Sequence, residues 1–423
     1  MCQAGLPPVP GATSSLSNNP AVRILPIVIS AALSTAATAQ AAPPDRTLSF
    51  ALSNVYIPAY QDAKACRSLS LGSTDIFLQS LSAAERAEYS KPEKGAELLA
   101  MMKKRLGFVS VPLGSGVDRR GPPAKRTPAQ IDEIRAAHGV PATKGAVVFR
   151  DRIFAYDSCT NPEDFQSLAK GHQEYRGDIA YGINLDGKVK SDDFTSPSGE
   201  HGVDNALFRA LGCDSQTISY GDPKAADDML NSSSAPTLVE ISEVDDERND
   251  DDVTVRFFVG AERLENAATG KALAWSSIDI DPDPRYQATA KGRIVDGVLS
   301  TDAFDVRIKM KEQVMDTSRE IRGARIRATI KPGQSIEGGL YGYYTLASLS
   351  EQYVQFTQAT ADVSKLSCPA TINAIKAKAD GYRDPRTKRF TAISSAFNFR
   401  GVPAYLIHPQ AVVAAANVRD HSQ

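Results

Sequence analysis

The sequence is poor in the residues that build metal and redox centres. Its 423 residues include five cysteines, five histidines and one tryptophan. No Cys-x-x-Cys pair and no Cys-x-x-Cys-His sequence is present, which argues against a thiolate zinc site, a redox motif and covalent haem. The sequence also lacks Gly-x-Ser-x-Gly, His-Glu-x-x-His and the glycine motifs that bind phosphates or dinucleotides. No haem, nucleotide or flavin cofactor is therefore indicated.

Neither sign of charge dominates the chain. It has 48 basic and 50 acidic residues, a net charge of −2, and no basic run interleaved with aromatic residues. Such a balance favours neither nucleic acid nor an anionic membrane surface as a partner. No apolar run reaches the roughly twenty residues that a membrane helix needs. We therefore predict no nucleic-acid partner and no membrane span in the mature chain.

The most apolar run, residues 24–33, has the pattern of a secretory signal. Arg23 precedes it, and small residues follow it as far as Ala42. A positive charge, a short apolar core and a small-residue cleavage site are the marks of a Sec-type signal peptide. We predict cleavage near Ala41, residues 1–41 as signal peptide and leader, and translation starting near Val22. The mature protein would then be periplasmic or secreted.

Export changes how the cysteines are interpreted. Cys2 would leave with the leader, and four cysteines would remain, at positions 66, 159, 213 and 368. An even number in an oxidising compartment predicts two disulfides, for which three pairings are possible. We favour Cys159 with Cys213 and Cys66 with Cys368, because the first pair closes the most polar and least regular part of the chain.

Hydrophobic patterning predicts an α+β protein built on an antiparallel β-sandwich, jelly-roll-like, with helical N-terminal and C-terminal additions. Residues 42–232 form a mixed α/β region with a polar calcium loop, the polar linker 222–236 marks the boundary, and residues 233–423 form the sandwich with C-terminal helices. Asp296-Gly297 between two alternating runs predicts a tight hairpin. The predicted sandwich strands are 237–244, 253–260, 286–295, 298–310, 324–330 and 335–345, and the helices that follow are 349–360 and 368–382.

The polar segment 182–205 is the first candidate metal site. Calcium is bound by six to eight oxygens on a compliant loop, and the segment is dense in carboxylate and amide side chains. An EF-hand register centred on Gly187 fails at two diagnostic positions, so we predict a calcium loop of another kind. The alternative is a set of metal-free turns, which the same residue types also build. The predicted ligands are Asp186, Asp193, Asp204 and Asn205.

A second candidate is the acidic run 245–252, which holds six acids in eight positions. Bound calcium would relieve the repulsion among them, whereas a solvated acidic loop is the plain alternative. Asp279, Asp281 and Asp283 could add ligands if the fold brings them close. The predicted ligands in the run itself are Asp245, Asp246, Asn249, Asp250 and Asp252.

Catalytic and aromatic candidates are fewer. His201, with Asp204 nearby in sequence, is the best candidate base for a hydrolase, although a solvent-facing histidine in a glycine-rich loop is commoner than a catalytic one. The run 338–344 contains three tyrosines that could form a stacking platform with Trp275. Strand alternation predicts that Tyr341 and Tyr343 share one face and that Tyr344 points to the other.

The segment Gly202-Val-Asp-Asn to Gly212-Cys213, followed by Val244-Asp-Asp and Asn249-Asp-Asp-Asp-Val, carries a resemblance. In the order of these motifs the chain is similar, over much of its mature length, to a group of uncharacterised exported bacterial proteins. The resemblance implies no activity. It implies only that the acidic turns and Cys213 belong to the design of the fold.

Together these features predict an exported, disulfide-stapled, calcium-stabilised module that binds a small molecule, a glycan or an envelope protein. The alternatives are an exported hydrolase with acids and His201 on sandwich loops, and a soluble accessory partner of an envelope complex. Convergence of Asp186, Asp193, Asp204 and Asn205 on one point would favour the calcium module.

Overall fold

The computed structural model describes residues 46–62, 64–108, 127, 129, 148–149, 152–153, 156–221, 235–311, 316–331, 333–360 and 366–409. All of them belong to one compact unit, Pro43–Gln423. The predicted signal segment 1–41 with its start near Val22, and residues 222–234 of the predicted linker, lie outside the described residues. Those predictions therefore stay predictions.

β-Strands dominate the described residues, and helices are few. The strands are β1 (Arg46–Tyr56), β2 (Val148–Phe149), β3 (Arg152–Ile153), β4 (Phe194–Thr195), β5 (His201–Val203), β6 (Thr237–Val244), β7 (Asp250–Val259), β8 (Ser276–Asp279), β9 (Ala288–Val295), β10 (Val298–Thr301), β11 (Phe304–Lys311), β12 (Asp316–Lys331), β13 (Ser335–Thr345), β14 (Gly381–Arg383) and β15 (Phe390–Ile407). The helices are α1 (Ser73–Gln79), α2 (Ala83–Tyr89), α3 (Gly95–Leu106), α4 (Ala206–Leu211), α5 (Ser215–Tyr220), α6 (Leu346–Thr360) and α7 (Cys368–Lys378). Short 3-10 helices occupy Pro92–Lys94, Pro162–Leu168 and Pro284–Tyr286.

Eight antiparallel strands of the described chain form a closed β-barrel. Their order around it is β1, β6, β7, β9, β10, β12, β13 and β15. β15 pairs with β13 along one edge and with β1 along the other, which closes the sheet on itself. β8, β11 and β14 pair with barrel strands from outside this path. β1 lies in the predicted N-terminal region, yet its partners are strands of the C-terminal region.

The prediction of a jelly-roll-like β-sandwich was therefore wrong. Alternating apolar and polar residues indicate strands with one buried face, and a sandwich and a closed barrel share that pattern. The difference lies in β15, for which no strand was predicted. Its residues 392–397 are all buried, so the two-residue alternation that reveals a strand is missing there.

Apolar side chains fill the interior of the barrel, as eight strands allow. Phe257 and Phe304 stack with ring centroids 4.9 Å apart, and Tyr344 meets Phe397 edge to face at 5.8 Å. One continuous apolar cluster contains these rings together with inward residues of all eight strands. The described side chains inside the barrel thus form an apolar core.

Helices α4, α6 and α7 extend the same apolar cluster. Leu207 and Leu211 of α4, Leu349 of α6 and Ile375 of α7 all join it. The Asn205 side chain caps α4 by accepting a hydrogen bond from the Phe208 amide at 3.1 Å, a role for which asparagine is favoured. Among the described residues, no helix combines the length and the apolar character required to cross a membrane.

The hairpin predicted at Asp296-Gly297 is confirmed. Both residues have positive φ, 50° and 77°, which a two-residue turn between twisted strands requires. The flanking residues Val295 and Val298 pair directly, joining β9 to β10.

Two disulfides form, as predicted, but the favoured pairing was wrong. Cys66 pairs with Cys213, and Cys159 pairs with Cys368, with Cα separations of 5.6 and 4.9 Å. The chain after β1 returns to the end of α4, which places Cys66 next to Cys213. The segment before Leu168 instead lies against α7, where Lys376 forms an ion pair with Glu163 at 2.6 Å. The polar region is thus tied to other elements rather than to itself.

Candidate functional site

The predicted calcium loop is organised around a lysine. The ammonium of Lys190 lies 2.7 Å from a carboxylate oxygen of Asp186 and 3.6 Å from one of Asp204. The other oxygen of Asp204 accepts hydrogen bonds from the amides of Leu185 and Asp186, at 2.7 and 3.2 Å. Two of the four predicted ligands are thus brought together, and the cation between them belongs to the chain itself.

The other two predicted ligands have different partners. Asp193 accepts a hydrogen bond from the backbone amide of Lys190 at 2.6 Å. Asn205 caps α4 with its oxygen and donates its amide hydrogen to the carbonyl of Tyr181 at 2.8 Å. The oxygens predicted to bind calcium are therefore engaged within the protein.

Charge and burial divide the two carboxyls that Lys190 joins. The hydrogen bond from Lys190 lowers the pKa of Asp186, whereas burial raises the pKa of Asp204. The hydrogen bond to Asp186 also raises the pKa of Lys190, so the ammonium keeps its charge at neutral pH. Lys190 thus supplies the positive charge that a loop with several acids needs.

This arrangement predicts how the loop responds to calcium. In Lys190→Met the carboxylates of Asp186 and Asp204 lose their cation, and the variant should lose about 1–2 kcal/mol of stability. Millimolar calcium should restore part of that lost stability in the variant. In the wild-type protein, calcium should leave the stability of this loop unchanged. Thermal melts with calcium and with a chelator measure both effects, and Lys188→Met on the same loop is the matched control. A wild-type melting temperature that falls on chelation would instead support calcium binding, at this loop or at the acidic run 245–252.

The acidic run also carries internal partners. Asp250 accepts hydrogen bonds from the amides of Asp245 and Asp252, at 2.7 and 3.1 Å. The turn is further tied by the Asn249 side chain, which accepts a hydrogen bond from the Asp296 amide at 3.0 Å, and the carboxylate of Asp246 accepts one from the Arg248 amide at 2.8 Å. Basic side chains pair with two of its other acids.

Those ion pairs are Asp252 with Lys291 at 2.8 Å and Glu247 with Arg46 at 3.4 Å. No group of three or more His, Cys, Asp or Glu side chains arranged to hold a metal ion is found in the part of the chain that the structure describes. Calcium binding at the acidic run stays a prediction.

The three aspartates that could add ligands have separate roles. Asp281 pairs with Lys309 at 2.6 Å, and Asp283 caps the 3-10 helix that follows it by accepting from the Arg285 amide at 3.0 Å. Asp279 lies at the end of β8 with an exposed side chain.

His201, the predicted base, is exposed at the start of β5. Its Nδ1 lies 3.1 Å from the hydroxyl oxygen of Thr195 on the paired strand β4. Asp204 is engaged with the Lys190 ammonium and with the backbone amides of Leu185 and Asp186. No described contact joins His201 to Asp204 as a base and its acid. Their contacts therefore do not support the hydrolase alternative.

A second acid and histidine, which sequence reasoning missed, lie close together in the interior. Nδ1 of His172 is 3.9 Å from a carboxylate oxygen of Asp214. Among the described residues, neither ring nitrogen of His172 nor either oxygen of Asp214 has a hydrogen-bond partner. Burial raises the pKa of Asp214 to about 7 and lowers the pKa of His172. No sequence motif marks this pair, since the residues are 42 positions apart.

The Cys66–Cys213 disulfide borders a cavity of about 480 Å³, a size within the range of small-molecule sites, about 300–1,000 Å³. Tyr60, Leu69 and Tyr175 contribute apolar surface to it, and Asp62 contributes a carboxylate. None of its lining residues is basic. An anionic ligand is therefore disfavoured there.

The predicted face sharing of the tyrosines is confirmed, but they do not form an open platform. Tyr344 is fully buried in the barrel interior, while Tyr341 and Tyr343 are partly buried on the opposite face of β13. Burial raises the pKa of Tyr343 to about 12. Its ring meets Tyr382 edge to face, with centroids 5.5 Å apart.

Trp275 instead pairs with a residue that sequence reasoning missed, Tyr405 of β15. Their ring centroids are 5.4 Å apart and the ring planes are inclined by 41°. Trp275 is 50% exposed and Tyr405 58% exposed. Leu273 and Ile407 add exposed apolar surface, 38% and 48%. We call these four residues the aromatic surface.

The aromatic surface is held firmly by the backbone. Trp275 has a φ of 66°, which costs a non-glycine residue of the order of 1 kcal/mol. Its amide donates a hydrogen bond to the carbonyl of Pro403 at 2.6 Å. A strained backbone conformation persists only where the surrounding structure holds it in place. Residues in such conformations are concentrated at functional sites.

Comparison with known proteins adds no family to these observations. No protein-family model, no curated protein and no solved structure matches the chain. Because fold alone does not define function, the case for a function rests on the geometry of these residues.

Proposed function

We propose that the chain is an exported, disulfide-stapled binding module that holds its ligand on the aromatic surface. The observation that carries this proposal is the pair of half-exposed rings, Trp275 and Tyr405, fixed beside each other. Large aromatic side chains are buried when they serve packing alone. Exposed aromatic residues that are held rigidly are typical of binding sites, because little freedom is lost when the ligand binds.

Binding is better supported than catalysis. Apolar side chains line the barrel interior, which is unfavourable for a polar catalytic site. On β8, Ser277 is paired with Tyr405 and Asp279 with Ile407, and no described contact joins Ser277 and Asp279 as a nucleophile and its base. The buried pair His172–Asp214 has the residue types of an acid–base pair, but Asp214 is only 2% exposed.

Export supports the same proposal. The Sec-type signal in residues 1–41, with cleavage near Ala41, accounts for the two disulfides, which form and persist outside the reducing cytoplasm. The structure agrees with an extracellular protein in having both cysteine pairs at bonding distance. Periplasmic or secreted localisation is the finer part of the proposal.

The chain contains its own reporter for this function. Trp275 is the one tryptophan of the sequence, so tryptophan fluorescence comes from the aromatic surface alone. We expect strong iodide quenching of the free protein and protection when a ligand binds. Neutral oligosaccharides, apolar peptides and phosphatidylcholine vesicles are the ligands to titrate. If none of them protects Trp275 at millimolar concentration, the proposal is wrong.

A further inference from the structure

The outer face of the ribbon formed by β8 and the end of β15 places polar groups beside the aromatic rings. The strands run parallel, and Tyr405 is paired with Ser277 while Ile407 is paired with Asp279. Paired residues of neighbouring strands share a face, and all four are exposed. Resting on the proposed function, we propose that this face binds a neutral carbohydrate chain.

The two rings supply the apolar part of such a site. A sugar ring has one face of C–H groups, and aromatic side chains offer a flat surface with which those groups make contact. Trp275 and Tyr405 lie side by side rather than stacked face to face, as the 5.4 Å separation and 41° angle show. Two adjacent flat surfaces suit consecutive sugar units of an oligosaccharide.

The paired polar residues supply hydrogen bonds for sugar hydroxyls. The hydroxyl of Ser277 can donate and accept, and the carboxylate of Asp279 accepts only. A purely apolar partner, such as a lipid tail, would leave that carboxylate unpaired on desolvation, which is unfavourable. The surface therefore suits a ligand that is both flat and rich in hydroxyls.

The charge of the ribbon favours neutral over acidic carbohydrates. Asp279 is the charged residue among the eight paired positions of the ribbon, 276–279 and 404–407, which include no basic residue. An acidic sugar would be repelled by Asp279 and would find no cation in this ribbon. Neutral sugars, including N-acetylated ones, meet no such repulsion.

The support under the ribbon keeps the rings in place. Ala404 and Ile278 on its inner face are buried in an apolar cluster with Leu238 and Phe258. The amide of Trp275 is held by the carbonyl of Pro403. Because the surface is already ordered, the entropic cost of binding is reduced.

The test uses isothermal titration calorimetry of the full mature chain with cellohexaose and chitohexaose, and with hexagalacturonate as the acidic comparison. Binding of at least one neutral hexasaccharide is expected, and hexagalacturonate should bind about tenfold more weakly or not at all. Trp275→Ala and Tyr405→Ala should each weaken binding by about tenfold, and Asp279→Asn by a few fold. Tyr220→Ala, an exposed tyrosine on α5, is the matched control and should bind as the wild type does.

Thermal melts of the variants separate a binding defect from a folding defect. The four substituted side chains are exposed, so their loss should leave the melting temperature nearly unchanged. Two failures are distinguishable. Protection of Trp275 by vesicles or an apolar peptide, with no binding of either neutral hexasaccharide, would overturn the carbohydrate inference and leave the proposed function intact. Equal affinity for hexagalacturonate and the neutral sugars would overturn the role of Asp279.

Discussion

Asp214→Asn should stabilise the protein at about pH 8, by up to about 4 kcal/mol, while leaving its stability near pH 4 almost unchanged. The Asp214 carboxyl has no hydrogen-bond partner among the described residues, and burial raises its pKa from 3.8 to about 7. An asparagine keeps the shape of the protonated acid but cannot ionise. It therefore removes the cost of a buried charge without opening a cavity.

The direction of the pH effect follows from proton binding. Between about pH 4 and 7 the folded protein keeps the Asp214 proton, whereas the unfolded chain has released it. The free energy of unfolding therefore falls as pH rises through this window and levels off above it. The neighbouring His172 offers little compensation, because burial lowers its own pKa. The side chain of Ser70 lowers the pKa of Asp214, but by less than burial raises it.

Chemical denaturation at several pH values measures this effect. Asp380→Asn is the matched control: burial raises the pKa of Asp380 as well, but its two oxygens accept hydrogen bonds from the amide and hydroxyl of Ser394, both at 2.7 Å. That variant should gain much less stability at pH 8 than Asp214→Asn does, because these hydrogen bonds stabilise the ionised acid and offset part of the cost of burial. Equal destabilisation of Asp214→Asn at pH 4 and pH 8 would contradict the account given for the buried pair.

Removing the Cys66–Cys213 disulfide should lower the free energy of unfolding by roughly 3–5 kcal/mol. The two residues are 147 positions apart, so the bond greatly restricts the unfolded chain. In the double variant Cys66→Ala with Cys213→Ala, that restriction is lost. Cys213 is also fully buried beside α4, whose leucines pack into the barrel cluster, so the loss should reach the barrel itself.

Guanidinium denaturation of the mature chain measures the loss, and removal of Cys159 and Cys368, separated by 209 positions, is the comparison. Non-reducing peptide mapping of the wild type should recover Cys66 with Cys213 and Cys159 with Cys368. Thiol titration of the denatured, unreduced mature chain should find no free cysteine. A stability loss below about 1 kcal/mol in either double variant would show that its disulfide does not staple the fold.

Strands that alternate cleanly were predictable from sequence. β13 begins and ends at the predicted residues, because its buried and more exposed residues largely alternate. β6 also has the predicted bounds, although residues 237–241 are all buried, because its sequence from Val239 to Val244 still mixes apolar and polar residues. β15 was not predictable in this way, because burial on both faces over residues 392–397 erases the alternation. Missing that strand meant missing the closure of the barrel.

Site residues that are close together in sequence were also predictable, whereas partners that only the fold brings together were not. Local sequence indicated the loop of Asp186 and Asp204, but not that Lys190 would be its cation, since the side chain of a lysine can turn to solvent or to an acid. Trp275 was singled out by its rarity. Its partner Tyr405 lies 130 positions later and is brought to it by the parallel pairing of β8 with β15.

The pairing of β15 with β1 also bears on when the chain can fold. Phe50 is paired with Pro403, so the barrel is completed by residues from nearly opposite ends of the described chain. Contacts of such long sequence separation form slowly, because a large loop must close before they contribute. While the last strand is still on the ribosome the barrel lacks one wall. The closed barrel can therefore form only after β15 has been synthesised, so a Sec-type route acting during synthesis would receive a chain whose barrel is still open.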